Sequence, residues 1–278
     1  MDIQLTACDL DGTLLNKQGL LPDDVLAALA ETAEKGVFVV PCTGRCWDEL
    51  PEKLLTQPYL RFAVLSNGAR IVDLKSEQTL YRTTIEHKVL EELLAVVIET
   101  GCSYQIVSEG SDFVDEVFMT DTMSNFQKAG SEYAKLLPKF RFVKDLPSEI
   151  RRRQMPVEKF TIRRLEPEQR EIVQSFLEGR TELTSTDFVL DPSVYGDIEI
   201  GGENCDKGTG LSLLCEMLEI PMETVFAMGD GHNDISMLEA AGFGVAMGNA
   251  PAELKQVADY VTLSSDQGGA ALALRKFV

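Results

Sequence analysis

Apolar residues fall into two rhythms along this 278-residue chain, and the points where one gives way to the other outline its elements. Ile3 to Cys8 is a short apolar run without helical spacing, which predicts a buried strand. From Pro22 to Lys35 the spacing changes: Val25, Leu26, Leu29 and Ala33 share one helical face. Pro22 suits the first turn, Asp23 and Asp24 complement its positive end, and Gly36 stops it. "VFVVP" (37–41) returns to an unbroken apolar run of the kind found in parallel sheets covered on both faces. The C-terminal part repeats the alternation. A helix from Lys207 puts Leu211, Leu214, Cys215 and Leu218 on one stripe, followed by a strand "TVFAM" (224–228) and a helix after Asn233. A strand "GFGVAM" (242–247), a helix near Pro251 and "DYVTL" (259–263) close the series.

The middle of the chain reads differently. Two amphipathic helices, about Glu86 to Thr100 and Glu166 to Glu178, lie among strand-like pieces, "SYQIV" (103–107), "EKFTIRR" (158–164) and "TDFVL" (186–190). A mixed-charge section from about Ser124 to Pro156 carries no regular pattern. The expected architecture is α/β, a doubly wound, Rossmann-like parallel-sheet core built from both chain ends and interrupted by an inserted α+β domain. The boundaries expected are 1–84 and 190–278 for the core and 85–189 for the insertion. No internal repeat or low-complexity segment appears.

Composition narrows the partners. With 45 acids against 26 bases the chain carries a formal charge of -19, which repels nucleic acid and the anionic face of a membrane. A phosphate site in such a field needs local positive charge from a metal, a lysine or helix amides. The six cysteines form no C-x-x-C pair, and four lie in or beside apolar runs, as reduced thiols of a cytoplasmic protein would. No run approaches the roughly 18 apolar residues of a membrane span.

Candidate chemistry gathers where strands end, the edge at which open parallel sheets bind ligands. "DLDGT" (9–13) puts Asp9 and Asp11 at the end of the first strand, and "PCTGR" (41–45) puts Thr43 and Gly44 at the end of the second, where a hydroxyl and amides can bind phosphate oxygens. Arg45 reads as a residue of the surface or of the site's surroundings. "CDKGTGLSLL" (205–214) opens a helix with Lys207, a cation at the wrong end of the macrodipole, which a bound anion would offset. "FAMGDGHNDISML" (226–238) runs a strand into Asp230 and Asp234, like charges four apart whose repulsion a cation would remove. Carboxylates without sulfur or imidazole suit Mg²⁺. Each string alone also fits a plain turn or cap.

Together, in this order and with a domain-sized gap between Thr43 and Lys207, the strings resemble the four motifs of the haloacid dehalogenase superfamily. Within it the chain is similar to the Cof-type phosphatases, subfamily IIB, whose α/β cap lies between the second and third motifs. Lesser features agree: "SNGARI" (66–71), "VEKFTI" (157–162), and "GVAMGNAPAELKQVADYVT" (244–262) with a later "GG". The resemblance implies that Asp9 is a nucleophile forming an aspartyl-phosphate and Asp11 the general acid and base. It implies that Thr43, Gly44, Lys207, Asn233 and the Leu10 amide hold the phosphoryl group. Mg²⁺ would be held by Asp9, the carbonyl of Asp11, Asp230 and Asp234, and the cap would choose the leaving group. The expected activity is hydrolysis of small phosphorylated metabolites, sugar phosphates first. Two rivals stay open, a phosphomutase or phosphotransferase that delivers the phosphoryl group to a sugar, and a non-enzymatic phospho-receiver. The acidic "GGENCD" (201–206) before Lys207 departs from the family's usual pattern. Oligomeric state is not legible.

Overall fold

The computed structural model describes residues 2–116, 118, 139–188 and 196–278. In chain order its elements begin with β1 (Leu5–Cys8), α1 (Asp23–Glu34), β2 (Phe38–Pro41), α2 (Glu52–Leu55), β3 (Phe62–Leu65), β4 (Arg70–Asp73) and β5 (Gln78–Arg82). Next come α3 (His87–Thr100), β6 (Ser103–Ser108), β7 (Ser111–Val114), β8 (Arg141–Phe142), α4 (Leu146–Arg153), β9 (Val157–Leu165), α5 (Pro167–Leu177), β10 (Leu183–Phe188) and β11 (Gly196–Gly202). The last are α6 (Lys207–Met217), β12 (Val225–Gly229), α7 (Ile235–Ala240), β13 (Phe243–Ala246), α8 (Ala252–Val257), β14 (Tyr260–Val261) and α9 (Gly269–Phe277).

The chain divides into two compact units. The first comprises Met1–Arg45, Leu50–Arg82 and Asp206–Val278. Its main sheet has the order β14-β13-β12-β1-β2, and every pairing in it is parallel. Alternation along β1 and β12 explains why both faces are covered. Leu5, Ala7, Val225 and Ala227 point into a core with Leu211 and Leu214 of α6 and Met237 and Leu238 of α7. Phe226 points the other way, against Phe277 of α9 at a ring separation of 6.5 Å. There α9 packs on α1, and Arg275 grips Glu31 through two contacts of 2.8 Å. The core is therefore doubly wound, as expected. A small antiparallel sheet, β3-β4-β5, joins it where Cys42 bridges to Val64.

The second unit comprises Cys46–Glu49 and Thr83–Cys205. Among the described residues its strands run in the order β10-β11-β9-β6-β7-β8, antiparallel except for β7 with β8. Tyr104, Ile106, Phe160, Ile162, Ile198 and Ile200 line one face and pack with Val89, Leu90, Leu93, Leu94 and Val97 of α3 and Val173 of α5. Each of those helix side chains contributes about 1.5–3 kcal/mol by leaving water. The opposite face is polar, with Gln105, Thr161 and Glu199 in register across β6, β9 and β11. This unit runs on through Cys205, past the expected return at 190, because β11 pairs with both β9 and β10.

One irregular stretch proves partly helical. Asp145 caps α4 by accepting from Ser148 N at 3.0 Å, and Leu146 and Ile150 are buried, four apart on one face. With only two buried apolar positions in eight residues the helical period was too short to read. Residues 124–138 of that stretch, and Val189 and Leu190 of "TDFVL", lie outside the described residues.

Candidate active site

Asp9 follows the last residue of β1, and its N–H donates to Met228 O at 3.0 Å, so the pairing with β12 carries on to the carboxylate. Across β1, Cys42 N donates to Cys8 O at 2.8 Å, which places Thr43 at the same sheet edge. Thr43 is buried, its N–H donates to Val64 O at 2.9 Å, and its hydroxyl accepts from Arg45 N at 3.2 Å. Gly44 lies between them in this turn, and Leu10, wholly buried, follows Asp9.

Lys207 is the largest departure from what a lone lysine suggests. Its side chain is fully buried, and Nζ donates to Asp9 Oδ1 and to Asp234 Oδ1, each at 2.6 Å. Asp206 caps α6 by accepting from Thr209 N at 2.9 Å, so the helix end is satisfied and the ammonium answers to the two acids. Burial acts to lower its pKa, but Asp234 and then Asp9 outweigh it and hold the lysine charged. Burial likewise pushes Asp9 up, with Lys207 opposing and Asp234 reinforcing.

Asp234 is tied on its other side. Its Oδ2 accepts from Asp230 N at 2.9 Å and Gly231 N at 2.8 Å, which closes the turn that starts α7. Asp230 accepts from Thr13 Oγ1 at 3.2 Å and is pushed up to about 7, chiefly by burial and next by Asp234. Gly12, at φ 77°, sits so close that a Cβ there would overlap the Asp230 carboxylate. Carboxylate oxygens of Asp9, Asp230 and Asp234 all lie within 4.8 Å of one another. Three carboxylates beside one ammonium make a largely buried, all-oxygen donor set, and that chemistry fits Mg²⁺.

Not every expected residue joins this group. Asp11 turns to Arg45, whose Nε and Nη2 bind its two oxygens at 2.7 and 2.6 Å. Asn233 donates to Asn67 Oδ1 at 3.0 Å, and His232 is exposed. Arg45 and Asn67 were missed as partners. "TGR" and "SNG" placed them at strand ends, yet nothing in their spacing said which acid or amide they would meet.

A family model described as haloacid dehalogenase-like hydrolase matches residues 6–274. The 5-amino-6-(5-phospho-D-ribitylamino)uracil phosphatase YcsE of Bacillus subtilis (strain 168) is 30% identical over 278 residues, covering 100% of this chain and 97% of that protein. A haloacid dehalogenase-like hydrolase from B. subtilis superposes with a TM-score of 0.84 at 27% identity, over 99% of this chain and 100% of the other. A subclass IIB sugar phosphatase, BT4131, has the same fold, with a TM-score of 0.79 at 23% identity over 99% and 98% of the two chains. Spanning nearly the whole chain and carrying both the parallel-sheet core and the second α/β unit, these matches make the protein a member of the haloacid dehalogenase-like hydrolases, a Cof-type phosphatase that acts on phosphate monoesters.

Proposed function

We propose that the chain is an Mg²⁺-dependent phosphatase of small phosphate monoesters, sugar phosphates above all, working through an aspartyl-phosphate on Asp9. The observation that carries this reading is the buried contact of Lys207 with Asp9 and Asp234 beside Asp230. A carboxylate and a phosphate repel, so attack requires positive charge held between them. Lys207 supplies one such charge, and Thr43, Gly44, the Leu10 amide and Asn233 supply neutral donors for the phosphoryl oxygens. Asp9, Asp230 and the Asp11 carbonyl would hold Mg²⁺. Asp234 would join them directly or through water. When bound, Mg²⁺ lets the two anions approach and stabilises charge gathering on the phosphoryl oxygens.

In the first step an Asp9 oxygen bonds to phosphorus as the ester P–O bond breaks, and Asp11 gives its proton to the leaving oxygen. In the second, water bonds to phosphorus, its proton passes to Asp11, and the bond to Asp9 breaks. Asp11 must therefore exchange the Arg45 guanidinium for the leaving group during turnover.

Two relatives support the sugar-phosphate class by their names, one carrying a phosphorylated ribityl chain and the other being called a sugar phosphatase. The net charge of -19 disfavours polyanionic substrates. All six cysteines are free and buried, which suits a reducing cytoplasm.

Hydrolysis of p-nitrophenyl phosphate with Mg²⁺ and with excess chelator, for the parent and Asp9→Asn, tests the mechanism. Metal-dependent turnover that the substitution abolishes is expected. Turnover that survives in chelator, or in Asp9→Asn, would overturn it. A panel of phosphorylated metabolites tests the substrate class, and activity confined to phosphoprotein or nucleic acid would refute it.

A further inference from the structure

The stretch "GVAMGNAPAELK" (244–255) belongs to none of the four motifs, yet it folds against the acids. The loop that follows β13 is fastened on several sides. Met247 N donates to Gly229 O at 2.9 Å, Gly248 N to Leu263 O at 3.0 Å, and Lys255 Nζ to Gly248 O at 2.7 Å. A Cβ on Gly248 would lie 2.7 Å from Ser264 N and 2.9 Å from Leu263 C, so only glycine lets the two loops approach this closely.

From this anchored loop Asn249 reaches three other segments. Its Nδ2 donates to Asp230 Oδ2 at 2.9 Å and to Gly12 O at 3.0 Å, and its Oδ1 accepts from Ser265 N at 3.0 Å. The partners settle the orientation of the amide, because a carboxylate and a carbonyl only accept here and a backbone N–H only donates. Thr13 Oγ1 meets the other Asp230 oxygen, so each oxygen of that carboxylate has a donor from a different loop.

We propose that Asn249 is a positioning residue that fixes the rotation of Asp230 and thereby sets the affinity of the site for Mg²⁺. This rests on the reading of Asp230 as a ligand. A carboxylate free to turn must lose that freedom when it binds a cation, whereas one clamped by two donors has already lost it. An uncharged amide is suited to the task, since a lysine at the same place would compete with the cation. Because Asn249 also holds the Gly12 carbonyl, it keeps the loop after β1 in register with the loop after β12.

The test is an Mg²⁺ titration of the thermal unfolding midpoint, without substrate, for the full chain, Asn249→Ala and Asp230→Asn, followed by p-nitrophenyl phosphate turnover across the same Mg²⁺ range. Asn249 is exposed, so the alanine chain in chelator should melt close to the parent. It should need about tenfold more Mg²⁺ in both assays, regain parent kcat at saturating Mg²⁺ and keep KM. A parent-like Mg²⁺ midpoint in Asn249→Ala, with binding lost in Asp230→Asn, would overturn the proposal while leaving the metal reading intact. So would a kcat loss that excess Mg²⁺ does not restore. Parent-like binding in Asp230→Asn would overturn the ligand reading and this proposal with it. If the alanine chain melts early, Asn249→Ser, too short to reach Asp230, repeats the test.

Discussion

In the first unit Asp9, Asp230 and Asp234 gather about a single ammonium; in the second, Cys46, Glu49 and Asp112 lie equally close to one another, within 4.8 Å, with a thiol in place of a third carboxylate. Asp112 accepts from Cys46 Sγ at 3.1 Å and from Gln105 Nε2 at 2.9 Å, and Glu49 accepts from Cys46 N at 3.0 Å. Lys159 meets Glu199 at 2.9 Å, and Arg163 meets Asp197 at 2.6 Å. Burial pushes Asp112 up to about 7, as it does Asp230 in the first cluster, and burial also raises the Cys46 thiol and keeps it protonated. Protein donors close both clusters, and the two differ in composition: three carboxylates in the first, two carboxylates and a protonated thiol in the second. Proximity of candidate ligands therefore says less about a metal site than their chemistry does, since a protonated thiol is a poorer ligand for Mg²⁺ than a carboxylate.

The sharpest way to break this contrast is Asp9→Asn, expected to lower turnover of p-nitrophenyl phosphate by on the order of 10⁴-fold. Parent-like kinetics would remove the first cluster from the chemistry. Lys207→Ala should cost about 3–5 kcal/mol in urea denaturation, because it strands two buried carboxylates. A cost below ~1 kcal/mol would mean that water already reaches them. Saturating Mg²⁺, at about 100 times its dissociation constant, should stabilise the parent by ~2.7 kcal/mol. That gain should vanish in Asp230→Asn and persist in Glu49→Gln, and the reverse pattern would exchange the roles of the clusters.

A last prediction concerns pH. A carboxyl raised from 3.8 to about 7 binds more protons folded than unfolded between those values. Its contribution to stability is present below pH 3.8 and is lost as pH rises toward 7, by at most about 1.4 kcal/mol per pH unit. Protection factors of the β6 and β7 amides in the full chain, exchange rates taken relative to the intrinsic rate at each pH, should therefore fall over that window, and Asp112→Asn should flatten the dependence. An unchanged slope in the variant would assign the titration to another group.

Much of the frame was legible in the sequence because it depends on neighbours within a few positions. Pro22, two aspartates and Val25 with Leu29 suffice to start α1 and aim its buried face. The apolar runs of β1, β2 and β12 required a parallel sheet, since both of their faces had to be covered. Three of the four motif strings marked strand ends, and the one with Lys207 marked a helix start. Helix α4 escaped because its pattern spans barely two turns; the motifs put Lys207 at the site, but nothing in them told that it would be wholly buried against Asp9 and Asp234.

By itself the sequence determined which side chains stand at the carboxyl edge of the core sheet, for that follows from local period and turn chemistry. Only the tertiary structure decided which of them touch. Lys207 meets Asp9 across 198 positions, and Asn249 meets Gly12 across 237. Arg45 takes Asp11, while Asp234 turns back to Lys207 and to its own turn. Those choices depend on how strands stack and loops close over long separations. The electrostatic balance of a buried cluster exists only after such packing has excluded water.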